Sequence, residues 1–195
     1  IYTDVDGVYT ADPTLEPDAR RLPSISYEEM LELASLGTKV MHPRAIELGA
    51  AFGIEILVAS SFSSVPGTII KNQSLDQGRG QVRGIAHDTD VAKITVQGVP
   101  DKPGVAAGIF TPLSKAGIRV DAVVQNASNL GVTYLTFTVA KEDVRSATNL
   151  VNPIVRKVGA QGLVSDANLG KVSIVGSGMQ TGPGYAAQMF DALAK

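Results

Sequence analysis

The sequence has no cysteine. That excludes disulfide frameworks, thiolate zinc sites and thiol nucleophiles, and it fits a reducing compartment, so a cytoplasmic location is expected. Histidine is scarce, with two residues in the chain. His42 stands beside Pro43 with no second histidine nearby, so it is read as structural, and no metal site is expected. A basic stripe is also missing: 17 Lys and Arg face 19 Asp and Glu for a net charge of -2. No stretch can neutralise several phosphates, which argues against nucleic-acid binding. Long apolar runs are absent too. Stretches such as residues 54–60 are too short to span a bilayer, and no signal-like segment opens the chain, so no membrane association is expected. What remains is 44% hydrophobic and 18% charged, a composition that fills real cores. A chain of 195 residues fits one large and one small domain.

Residues 1–9 read as the end of a strand running into a polar turn at Asp6 and Gly7. Ser26 followed by Glu29 is a capping box. Met30, Leu33 and Ala34 then keep helical spacing up to Gly37. Pro43 suits the first position of a second helix, Ile46 and Ala50 continue its face, and Gly53 closes it before a buried strand over residues 54–58. The order strand, helix, helix, strand predicts α/β. On the residues alone, Asp6 and Gly7 read equally as a plain turn. Lys39 reads as a solvated lysine at a helix end.

Residues 73–90 turn polar and glycine-rich, which predicts a linker. Beyond it the chain repeats itself. Lys93, Gly98, Pro103, Gly104, Ala106, Ala107, Phe110, Leu113 and Lys115 align with Lys171, Gly176, Pro183, Gly184, Ala186, Ala187, Phe190, Leu193 and Lys195, which marks a duplicated unit. In the first copy a strand over residues 94–99 leads through a Pro-Gly loop into a helix with Ile109, Phe110 and Leu113 on one face. Ile118, Val120, Ala122 and Val124 alternate on the next strand, and Leu135, Phe137 and Val139 on a strand expected to pair antiparallel with it around Gly131. Val144, Ala147, Leu150 and Val151 form a helical face that Pro153 is expected to kink, restart or end. A strand near residues 162–167 completes β-α-β-β-α-β, the ferredoxin-like order. The second copy stops after its first helix. The Pro-Gly loop reads either as a simple turn or as a helix start whose N–H groups can receive a carboxylate.

Taken in series, the segments TDVDGVYTADP, SYEEMLELASLGTKVMHPRA, SSF and PGT resemble the aspartokinase family over the C-terminal part of its α/β kinase lobe. The DKPG loop and strand order resemble the ACT modules that follow it in that family. The resemblance implies residues 1–72 as the nucleotide-binding side of the kinase lobe, 73–90 as linker, 91–169 as a first ACT module and 170–195 as the start of a second, incomplete one. It implies aspartate kinase activity, phosphorylating the side-chain carboxylate of L-aspartate from ATP with Mg2+ at the entry to lysine, threonine and methionine synthesis. It also implies feedback by threonine and/or lysine on the ACT modules, which would pair into a homodimer or hetero-oligomer. A regulatory subunit that senses amino acids without catalysis is the alternative.

By the same resemblance Thr3, Asp4, Tyr9, Asp12, Pro13 and Lys39 would contact ATP. A carboxylate can hold a ribose hydroxyl, an aromatic ring can cover a purine and an ammonium can neutralise the transferring phosphoryl group. Thr14 departs from the family, many of whose members carry arginine there. Asp101, Lys102, Pro103, Gly104, Val105, Ala106, Arg119, Val120, Asp121, Gln125, Tyr185 and Ala186 would line effector pockets, amides taking the carboxylate and Asp101 or Asp121 the ammonium. The family's lysine and aspartate-binding motifs lie upstream of anything here. Both ends look cut, no catalytic residue is assigned, and the chain alone is expected to be inactive.

Overall fold

A computed structural model describes residues 1–38, 40–72, 82–126, 131–176, 179 and 183–195. The chain is mixed α/β and divides into two compact units, Ile1–His87 with Val172–Lys195, and Asp88–Lys171. Among the described residues no helix is long and apolar enough to cross a membrane.

The first unit holds β1 (Tyr2–Thr3), β2 (Ser24–Ser26), α1 (Tyr27–Ser35), α2 (Pro43–Phe52), β3 (Ile56–Ser60), β4 (Thr68–Lys71) and β5 (Gly84–Asp88). Four of these strands form a sheet in the order β1-β3-β4-β2. α1 starts as the sequence predicts. The Glu29 N–H donates to Ser26 Oγ at 3.1 Å, and the Ser26 N–H donates to Glu29 Oε2 at 3.3 Å, satisfying donors that a helix start leaves open. Met30 and Leu33 point into a core with Val8, Ile25, Val58 and Ile70. His42 caps α2, its Nδ1 accepting the Arg44 N–H at 3.2 Å, which is the structural role expected of it. At the other end Gly53 takes φ 62°, and the Ile54 N–H donates to the Gly49 carbonyl at 2.9 Å. That bond keeps Ile54 in the helix cap, and β3 starts at Ile56 instead of Ile54.

β5 stands inside the stretch predicted as linker. Its inward residue Ala86 joins the same core, as does Val175 of the strand Lys171–Val175 that pairs with it. Small inward residues and the polar His87 and Asp88 hide this strand from a composition reading. The helix Tyr185–Leu193 closes the described chain.

The second unit holds β6 (Ala92–Pro100), α3 (Val105–Lys115), β7 (Val123–Gln125), β8 (Val132–Val139), α4 (Val144–Val158) and β9 (Gly162–Asp166). In chain order the strand Lys171–Val175 is β10 and the helix Tyr185–Leu193 is α5. The sheet order β7-β8-β6-β9 is antiparallel throughout, which is the ferredoxin-like arrangement the sequence predicts. Ile94, Val96, Leu135, Phe137 and Val139 of the sheet pack on Ile109 and Leu113 of α3 and on Ala147, Val151 and Val155 of α4. The Phe110 and Phe137 rings meet edge to face at 5.3 Å.

One expectation narrows here and one changes. The helix α4 runs through Pro153 without ending or restarting. Its buried stripe at Ala147, Val151 and Val155 is anchored on both sides of the proline, and that packing offsets the lost hydrogen bond. The alternation from Ile118 to Val124 also fails to bury as one face. Ile118 is buried, but residues 119–122 are not strand and Val124 is 55% exposed. Val124 pairs with Thr136, and Thr136 with Thr95. Their row lies on the face away from the helices, where the two threonine hydroxyls meet at 3.0 Å.

One buried hydroxyl holds the first turn in place. Thr68 Oγ1 accepts the Val8 N–H at 2.8 Å and donates to the Leu22 carbonyl at 2.6 Å. Thr68→Val keeps the shape and leaves both backbone groups without that partner in a dry site, so it should destabilise the chain by about 2 kcal/mol. Urea unfolding of the two proteins measures this as a lower midpoint at an unchanged slope.

Candidate functional site

Among the residues expected to contact ATP, Thr3 lies on β1, which is parallel to β3 with Thr3 opposite Ser60. The Ser61 N–H donates to the Thr3 carbonyl at 2.8 Å, and the Thr3 hydroxyl donates to Asp4 Oδ1 at 3.0 Å. Asp4 is exposed at the strand end. The turn that follows is tight. An added Cβ at Gly7, φ 137°, would come within 2.5 Å of Thr68 Oγ1, so a side chain there would break the hydroxyl's bonds as well as strain the backbone. Ser63 donates to Asp6 Oδ1 at 2.5 Å, tying the turn to the loop after β3.

Tyr9 bridges Arg21 antiparallel. The excursion between them is fastened at its base by the Thr10 N–H on the Arg20 carbonyl at 2.9 Å and the Arg20 N–H on Thr10 Oγ1 at 3.0 Å. Asp12 and Pro13 sit on this excursion. Thr14 gives both its N–H, at 2.9 Å, and its hydroxyl, at 2.6 Å, to Asp12 Oδ1. Where an arginine would extend outwards, threonine folds back and fixes the carboxylate. Thr3, Asp4, Tyr9, Asp12 and Pro13 thus lie on two segments joined through the Thr68 anchor. Lys39 lies outside the described residues. Thr68 is the residue that a turn-by-turn reading misses: only its place in the PGT segment marks it.

The sensing candidates divide. Asp101, Lys102, Pro103 and Gly104 form an exposed loop held at its start by the Asp101 N–H on the Gly131 carbonyl at 3.0 Å. Gly104 ends it in the left-handed region at φ 89°, ψ -15°, and no side chain caps α3. The amides of Val105 and Ala106 open the helix, where its positive end favours an anion. Gly184 takes φ 99°, ψ -12° before α5, again with no side-chain cap, and places Tyr185 and Ala186 as the first two helical residues. The two copies therefore share the geometry of the glycine at the helix start.

Asp121 is at the other end of the sheet. Its N–H donates to the Thr138 carbonyl at 3.1 Å, level with Lys93, whereas Asp101 is level with Gly131. The strand between those levels spans roughly 20 Å, several times the length of an amino acid. Gln125 pairs with Leu135, between the two ends. Arg119 is exposed and Val120 half-buried. Val120 lines a cleft of about 430 Å³ with Phe110, Ser114, Gly117, Ile118 and Val123, of which only Val120 is among the residues expected to line an effector pocket. The structure therefore groups residues 101–106 together and Arg119, Val120 and Asp121 together, and it separates the two groups within the unit.

Comparison with known proteins agrees with both units. Residues 1–60 match the amino acid kinase family, and residues 94–152 match the ACT domain. An aspartokinase of Pseudomonas aeruginosa is 46% identical over all of this chain and 48% of its own length. The crystal structure of Clostridium acetobutylicum aspartate kinase superposes with a TM-score of 0.86 at 25% identity, over 99% of this chain and 44% of that one. The regulatory subunit of aspartate kinase from Thermus thermophilus is 36% identical with a TM-score of 0.54, over 58% of this chain and 74% of its own. This chain belongs to the aspartokinase family.

It spans about half the length of the curated relatives it matches. Within the family frame, the Pro-Gly loop is the feature that recurs in both copies, and its geometry is testable. An added Cβ at Gly104 meets nothing within 4 Å, so the glycine is there for its φ and not for space. Gly104→Ala should cost about 1 kcal/mol through backbone strain alone. Thermal unfolding should show that loss in Gly104→Ala, and a gain in Gly108→Ala, a position inside α3 where φ is not positive and the space is equally open.

Proposed function

We propose that this chain is the nucleotide-side end of a kinase lobe joined to an amino-acid-sensing region, in an aspartate kinase that phosphorylates the L-aspartate side chain from ATP and is inhibited by threonine and/or lysine. The observation that carries this reading is that likeness to an aspartokinase runs through the whole chain, at 46% identity. Residues 1–72 would be the kinase part, 73–90 the connection, 91–169 the first sensing module and 170–195 the start of the second, in a cytoplasmic protein.

Thr3 and Asp4 would meet the ribose and adenine, Tyr9, Asp12 and Pro13 would line the pocket, and Lys39 would reach the phosphates. Catalysis of this kind rests on positioning and charge neutralisation, because phosphoryl transfer to a carboxylate needs little covalent help. Among the described residues no three acidic or histidine side chains converge on a metal position, so Mg2+ would enter on the phosphates of the nucleotide.

For sensing, the uncapped amides at the start of α3 suit an effector carboxylate and the two acidic residues suit its ammonium. The 20 Å scale of their separation along the sheet supports a pocket completed by a second module, in a homodimer or hetero-oligomer. β7 supports the same arrangement. Among the described residues it is an edge strand, paired on one side only, whose Val123 and Val124 are 50% and 55% exposed, and such edges are covered or paired in stable assemblies. The regulatory-subunit reading draws on the Thermus thermophilus likeness; against it stands the kinase-family match over residues 1–60.

Two measurements on the full-length protein test the proposal. Lys39→Ala should lower kcat for phosphoaspartate formation by about 10²–10³-fold, the usual loss when a preorganised partner of developing charge is removed; activity within twofold of wild type would return Lys39 to a solvated lysine. Asp101→Ala should raise the inhibition constant for threonine or lysine at least about tenfold, roughly 1.4 kcal/mol of binding. Unchanged inhibition curves for both amino acids would reduce the loop to a turn.

A further inference from the structure

The carboxylate that the sensing reading offers to an effector's ammonium is already engaged. Lys171 Nζ pairs with Asp121 Oδ2, and both residues lie within the second unit. The acidic partner is held by its backbone. The Asp121 N–H donates to the Thr138 carbonyl at 3.1 Å, the Ala122 N–H to Thr138 Oγ1 at 3.0 Å and the Thr138 N–H to the Ala122 carbonyl at 3.0 Å. Three bonds to one residue of β8 leave the carboxylate little freedom to follow a departing cation. Its side chain nevertheless stays 49% exposed, open to a ligand from solvent, whereas the Lys171 side chain is 20% exposed.

We infer that Lys171 is a built-in occupant of the Asp121 carboxylate, and that an amino acid binding there exchanges its own ammonium for that of Lys171. The inference rests on the sensing reading of Asp121. Its chemical basis is that the two cations are alike: both are –NH3+ groups with three donors and no acceptor, so a carboxylate that receives one in this geometry receives the other. Exchange is energetically easy because a partly exposed ion pair adds little to stability. Two consequences follow. The ammonium contact adds little net affinity, so recognition of the effector must come from its carboxylate and side chain. And binding frees Lys171, the first residue of β10, which gives ligand occupancy a direct effect on how that strand starts.

Calorimetric titration of L-threonine and of L-lysine into the full-length protein tests this. Lys171→Met removes the competing charge and keeps the apolar stem, so the affinity of the binding amino acid should rise roughly two- to fivefold, the span that a pair of this exposure commands. Lys171→Arg keeps a cation and should stay near wild type. Asp121→Asn alone should stay near wild type, because it removes both competing contacts together, and in the Lys171→Met background it should cancel the gain. An affinity in Lys171→Met equal to or below that of wild type, with Asp121→Asn weakening binding, overturns the exchange and leaves the sensing site standing. Binding that Asp121→Asn leaves unchanged in both backgrounds, or no binding of either amino acid to wild type, overturns the sensing reading and the exchange with it.

Discussion

Thr68 is the constraint on which the first unit turns. Its hydroxyl is a single group with one proton and two lone pairs, and it serves the Val8 N–H on one side and the Leu22 carbonyl on the other. Val8 closes the turn that begins at Asp4, and Leu22 closes the excursion that carries Asp12 and Pro13. β4, which Thr68 opens, is paired on both sides, to β3 and to β2. A central strand therefore carries the clamp, and the segments that hold Thr3, Asp4, Tyr9, Asp12 and Pro13 are fastened to the most constrained part of the sheet. Gly7 follows from the same contact, since no side chain fits above the hydroxyl. The cost of leaving such groups unmade, about 1–3 kcal/mol each, exceeds the net worth of making them, so the clamp specifies geometry more than it adds stability.

In the second unit the corresponding constraint is the length of β8. Its neighbours take their registers from it: β6 on one side, from Ala92 against Val139 to Pro100 against Val132, and β7 on the other. The loop before α3 is consequently carried to the Gly131 end and the segment after α3 to the Thr138 end. Helix α3 itself spans this distance, about 16 Å for its 11 residues at 1.5 Å per residue. Chemistry at the start of the helix and chemistry after its end are thus held apart by the helix and by the strands beneath it, and no side-chain rearrangement within the unit can bring them together.

What was legible in the sequence is what local chemistry decides. Ser26 with Glu29, Pro43, Gly53 and the alternation of Leu135, Phe137 and Val139 each state their structure within a few residues, and each is found as read. The failures are matters of register and distant partners. The phase carried on from Ile118 is lost in residues 119–122, because a strand's face is set by its neighbour's pairing and not by its own alternation. β5 was hidden by composition, since its burial depends on α1 and on Val175, far along the chain. The Lys171 and Asp121 pair joins residues 50 apart, and Thr68 acts on residues 60 and 46 apart. No spacing rule reaches that far, so of the candidate sites the Pro-Gly loop could be read and the division into two groups could not.

The two copies of that loop separate what the backbone does from what side chains do. Gly104 and Gly184 have the same left-handed geometry, both helices start without a side-chain cap, and neither glycine has a neighbour above it. The helix start is therefore shaped alike after both Pro-Gly pairs, and each has no side-chain cap. The residues just before each pair differ. Asp101 and Lys102 precede Pro103, whereas Thr181 and Gly182 precede Pro183, so only the first copy carries a charge of each sign just before its Pro-Gly in the sequence. A zwitterion asks for an anion and a cation partner at fixed separation. With the same helix start and different residues before it in sequence, the two copies would, on the sensing proposal, not be equivalent receptors, and selectivity between amino acids would be decided by those side chains.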